Sequence, residues 1–167
     1  MKKIFVFMLL LISLRIIVAN EFGEVKDKKY LDLVKKEILI DDFEAYFSRR
    51  NPKQRLVKFN NENSENLFFI VSTDYSKHRG YQGTTTVGIV FNDSLKVIQA
   101  NIIKSQETSS YIKRINSMGF MQRFKEYIPG QKVELISGAT LTCESIQVSI
   151  NESLEKVKPL ILDFVNK

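Results

Sequence analysis

At 167 residues the chain has room for one domain with a sizeable core. Its composition, 44% hydrophobic and 26% charged, excludes a disordered chain. The formal charge of +6 does not make it a nucleic-acid binder: Lys2, Lys3 and Arg15 supply three of the 25 basic residues, which leaves 22 basic against 19 acidic, a net +3, interspersed and without an arginine-rich stripe.

The N-terminus reads "MKKIFVFMLLLISL", two lysines and then an apolar run from Ile4 to Leu14. That run has the size of a signal-peptide core and is short for a membrane span. Cleavage after Ala19 fits "RIIVAN", but Val18 and Ile17 stand where small residues are usual, so an uncleaved anchor stays open beside it. Residues 1–19 are therefore read as a signal peptide or membrane anchor, and the protein as exported, to a periplasmic or extracytoplasmic, membrane-associated location. No cysteine follows the apolar run, which argues against a lipid anchor.

Cys143 is the single cysteine and His78 the single histidine. An intrachain disulfide is excluded, and so is a closed thiolate metal shell. His78, in "SKHRG", reads as a solvated loop residue with no acid–base partner in view.

Residues 20–53 read as an N-terminal helical segment. Leu31, Val34 and Ile38 fall on one helical face, Asp27 suits the N-cap, and the helix is expected to break near Asp41 and resume to Phe47. Four strands follow, at about 54–59, 66–73, 84–91 and 95–104, separated by polar or glycine-bearing turns, an antiparallel meander. The period then changes. Tyr111, Ile115 and Met118, then Met121, Phe124 and Ile128, predict two short helices divided at Gly119 and ended by Pro129-Gly130. "QKVELI" fits one more short strand. Ile146, Ile150, Leu154, Val157, Ile161 and Val165 form an amphipathic helix, with Pro159 expected to kink it or start a second one. The class is α+β, an antiparallel sheet with helices grouped before and after it, and 54–167 is its main domain.

Between the last strand and the last helix lies "ISGATLTCES", residues 136–145, with hydroxyls at Ser137, Thr140 and Thr142 around Gly138 and Ala139. At a helix N-terminus the first backbone N–H groups lack internal partners and the dipole is positive, so small residues there let an anion approach the main chain. A plain helix cap accounts for the same residues. Such a pattern also arises by chance in roughly one chain of several hundred, too often to decide alone.

"SGATLT" together with "RGYQGTTTVGIVFNDSLKVIQANIIKSQET" and "GFMQRF" resembles the FMN-binding domain family, over roughly residues 54–160. That family includes covalently flavinylated subunits of sodium-pumping NADH:quinone oxidoreductase and of Rnf-type complexes, and free-standing exported flavoproteins. The resemblance implies FMN as cofactor, joined through a phosphoester to Thr142, the last Thr of the motif. It implies that Ser137, Gly138, Ala139, Thr140 and Leu141 complete the attachment loop. Gly80, Tyr81, Gly83, Glu107 and Thr108 match the family's glycine entry and Glu-Thr pair, and Tyr111 joins Tyr81 as a candidate to stack on the ring. Two departures stand out: Ser109-Ser110-Tyr111 replaces the Pro-Gly that often follows Glu-Thr, and Cys143 follows the attachment Thr where a small polar residue is usual.

On this resemblance the chain is expected to be an exported electron-transfer carrier or peripheral redox subunit rather than a stand-alone enzyme. The chain shows no general base or metal cluster to activate Thr142, so a separate flavin transferase, using FAD and a divalent cation, is the implied maturation partner beside an unidentified redox partner. A noncovalent FMN-binding sensory or scaffold domain remains the alternative, and a binding module with a mere helix cap a third. The flavin reading places Thr142 Oγ in an open groove, between the 80–83 turn and the segment Glu107 to Tyr111. A cap instead turns that hydroxyl onto its own helix, and wide separation of these segments, or a Thr142 sealed inside the core, argues against the flavin-carrier reading.

Overall fold

The computed structural model describes residues 22–165; the expected export segment, residues 1–19, and the cleavage expected after Ala19 lie outside them. Among the described residues no helix is long and apolar enough to cross a membrane. The elements in order are β1 (Phe22–Glu24), α1 (Lys28–Ile38), β2 (Glu44–Ser48), β3 (Arg55–Asn60), β4 (Asn66–Val71), β5 (Thr85–Asn92), β6 (Val97–Ser105), α2 (Ser109–Ser117), a 3-10 turn (Met121–Phe124) and α3 (Thr140–Val165). All six strands form one sheet in sequence order, each antiparallel to its neighbours. The architecture is α+β, as expected.

Side-chain alternation divides the core in two. Phe68, Ile70, Val87, Ile89 and Phe91 face Ile146, Ile150, Leu154, Val157 and Ile161 of α3, all buried. On the other side Val57, Phe59, Leu67, Phe69 and Val71 pack beneath Tyr30 and Val34 of α1. The central strand β4 is covered on both faces, which is why its sequence after the exposed Asn66, "LFFIV", is apolar without a break.

The N-terminal helix starts as expected, with the Asp27 carboxylate accepting from Lys29 N and Tyr30 N. It does not resume after Asp41. Leu39 takes a left-handed conformation (φ 57°) and ends α1, and Glu44–Ser48 pairs as a strand between β1 and β3. The spacing of Phe43 and Phe47 suits one helical face, but cross-strand bonds to neighbours distant in sequence satisfy this backbone instead. The "QKVELI" expectation also fails. That segment is irregular: Val133 and Ile136 reach the core while Arg123 Nη1 donates to Glu134 O at 2.6 Å. Near it, Gly130 (φ 91°) donates its N–H to Asn151 Oδ1 at 2.7 Å, so side chains rather than a strand partner satisfy the main chain here. Gly119 (φ 62°) divides the helical segment after the sheet as expected, although the second piece is a 3-10 turn. One helical element runs through Pro159.

β5 and β6 form a hairpin whose open end carries the 80–83 turn on one strand and residues 106–108 on the other. α3, packed across β5, begins at that same end. The chain thus gathers three connections at one corner.

Candidate functional site

Glu107 is the centre of that corner. Only 8% exposed, it directs Oε1 to the backbone N–H of Gln82 and of Gly83, each at 3.1 Å. Its Oε2 accepts from Thr142 Oγ1, also at 3.1 Å. The residue is held in place from behind, because its own N–H donates to Ser105 Oγ at 3.1 Å and that hydroxyl lies 2.8 Å from Thr85 Oγ1. One carboxylate therefore ties together the turn before β5, the end of β6 and the first turn of α3.

The turn can lie this close only because of its glycines. Gly80 N donates to Gly83 O at 2.8 Å, closing it. A Cβ on Gly80 would stand 2.5 Å from Glu107 Oε1 and 3.3 Å from Ser145 Cβ; one on Gly83 would stand 2.7 Å from Gln106 Cβ. Any larger side chain would push the turn off the carboxylate.

In the loop that leads into α3, Ser137, Gly138, Thr140 and Leu141 are exposed, Ala139 is buried, and Thr142 is 1% exposed. Among the described residues, the backbone N–H groups of Thr140, Leu141 and Thr142 have no hydrogen-bond partner. The first turn of α3 holds no acidic side chain, so its dipole is not neutralised there. Gly138 has φ 78°, and a Cβ on it would lie 3.6 Å from Cζ and Nε of Arg114. Three free donors, an exposed glycine and a guanidinium alongside fit a phosphoryl group. Arg114 was not anticipated: it lies mid-helix in α2, with no motif around it, and only packing brings it to the loop.

The expected convergence is present, and the cap geometry is not. Thr142 Oγ1 donates to Glu107, while Thr140 Oγ1 makes a long contact to Ile136 O (3.4 Å), so neither hydroxyl caps α3. The expected accessibility is absent. Thr142 is buried rather than set in an open groove, and the 80–83 turn closes onto the same carboxylate that receives its hydroxyl. Of the other candidates, Tyr81 is 65% exposed and meets half-buried Tyr111 edge to face, centroids 6.4 Å apart. Thr108 precedes α2, and its carbonyl accepts from Tyr111 N and Ile112 N. Ser109-Ser110-Tyr111 thus opens a helix at this corner. His78 is exposed, near Glu152 on a different groove.

Cys143 is fully buried and packs with Ile136 and Ile146; burial is the main influence raising its thiol pKa. The thiolate is the reactive form. The native protein should therefore resist a disulfide reagent such as dithiobis(nitrobenzoate), and the denatured chain should take up one equivalent per molecule. Rapid labelling of native protein would contradict this burial.

Residues 80–155 match the model of the FMN-binding domain family. No curated protein matches the chain, and no solved structure does.

Proposed function

Residues 80–155 are an FMN-binding domain with FMN as its cofactor, and from that premise we propose that this flavoprotein is exported, carries its FMN through a phosphoester on Thr142, and serves as an electron-transfer carrier or peripheral redox subunit. The observation that carries the reading is the meeting of Thr142, Glu107 and the 80–83 turn at the N-terminus of α3. The residues "SGATLT" around it, and the free N–H groups of Thr140 to Thr142, support phosphate at this place.

In this reading Thr142 is an anchor. The phosphodiester retains one negative charge, which the α3 N-terminus and Arg114 offset. Tyr81 and Tyr111 offer aromatic faces to the ring, and the bound flavin supplies the redox chemistry. Because Thr142 is buried, this corner must open before attachment. Export is supported by Lys2, Lys3 and the apolar run that follows, and covalent attachment suits a compartment where a lost cofactor is not readily replaced. The partners are a flavin transferase during maturation and, afterwards, a redox protein, with the N-terminal segment allowing membrane association.

The same burial favours a second reading, in which FMN binds noncovalently against the exposed loop residues Gly138, Thr140 and Leu141. One experiment separates the two. The protein is produced with a flavin transferase and FAD, then denatured, precipitated and weighed by intact-mass spectrometry. Covalent attachment adds the mass of FMN less one water and leaves the pellet yellow. Flavin released to the supernatant supports the second reading, and a colourless native protein contradicts both.

A further inference from the structure

The corner contains a group that a buried hydroxyl nucleophile needs. Threonine is a weak nucleophile until its proton is taken, and a base must stand within hydrogen-bond reach of that proton. Glu107 Oε2 already accepts from Thr142 Oγ1 at 3.1 Å. The carboxylate is preorganised: two backbone N–H groups hold Oε1, and Ser105 Oγ fixes the Glu107 backbone. Thr142 and Glu107 are 35 residues apart, so the pairing is a product of the fold.

We propose that Glu107 is the base for flavin attachment, so that the acceptor protein, and not only the transferase, contributes a catalytic residue. This rests on attachment at Thr142 as argued above. In the step, the Thr142 Oγ–H bond breaks and its proton passes to Glu107 Oε2. A bond forms from Oγ to the flavin-side phosphorus of a flavin adenine dinucleotide. The phosphoanhydride bond breaks, and adenosine monophosphate leaves with its electron pair. Nothing is oxidised or reduced. The bonds from Gln82 and Gly83 to Oε1 tie the base to the 80–83 turn.

The test uses Glu107→Gln in the full chain, with the same transferase and FAD, following attachment over time by intact mass. The glutamine side chain has the same shape and can accept from the turn through its oxygen, but it cannot take the Thr142 proton. Attachment should slow by about 100-fold or more. Glu107→Asp keeps the charge but withdraws it by one methylene, and should attach at a rate between the two. Should Glu107→Gln fail to fold, attachment to Glu107→Asp at the full wild-type rate overturns the proposal; so does a wild-type rate in folded Glu107→Gln. Rapid attachment to wild type that persists in Thr142→Ala would instead mean that the nucleophile is misassigned, a failure of the underlying reading.

Discussion

Thr142→Ala is expected to lose covalent flavin entirely: after production with a flavin transferase, its intact mass should equal that of the bare chain. On the proposed attachment the effect is all-or-none, because the variant lacks the atom that would form the ester. Thr142→Ser, which keeps a hydroxyl beside Glu107, should still acquire the FMN mass. Stability should fall as well. Thr142 Oγ1 is buried and donates to a carboxylate, so its loss costs about 1.5–3 kcal/mol, more than the roughly 1 kcal/mol of an exposed cap. Denaturant titration measures that loss. Thr140→Ala should keep the flavin mass, since its hydroxyl is exposed and holds only the long contact to Ile136 O. The opposite pattern, flavin retained in Thr142→Ala and lost in Thr140→Ala, would move the attachment to Thr140.

Phe124→Ala should be among the most destabilising single changes in the chain. The ring is fully buried and meets Phe120 and Tyr127 edge-on, with centroids 5.4 and 5.3 Å away. These aromatics belong to the core shared by the sheet and α3, so truncation opens a cavity that several elements line. The expected loss is about 3–5 kcal/mol, against a total of about 5–15 kcal/mol for a domain of this kind. A urea titration should show the midpoint falling with little change of slope. A loss below about 1 kcal/mol would mean that the 3-10 turn is not part of the cooperative core. Because α3 depends on the same core, FMN loading should become more temperature-sensitive in this variant even though no flavin-facing residue is altered.

Strands β3 to β6 were legible in the sequence because their signals are local. Apolar and β-branched runs bounded by polar turns predicted four strands, and the observed ends differ by one or two residues. One such difference follows from Ser72–Asp74, which turns into a 3-10 segment where more strand was expected. The last helix was equally plain from its three-and-four spacing. FMN as cofactor was also readable, since "SGATLT" and the glycine entry are contiguous motifs.

The sequence by itself determined which segments alternate, which repeat every three or four residues, and which loop carries hydroxyls between small residues, since each is a property of neighbours along the chain. Tertiary structure decided the rest. Glu44–Ser48 is a strand because β1 and β3 present backbone partners on either side, and those partners outweigh helical spacing. Arg114 reaches Gly138 only because α2 packs against the start of α3. Above all, the fate of the Thr142 hydroxyl was decided by Glu107, a residue 35 positions away. The closing turn and the hydroxyl share one carboxylate. Burial and hydrogen-bond partnership depend on what the whole fold brings within about 3 Å, and local pattern carries no record of that distance.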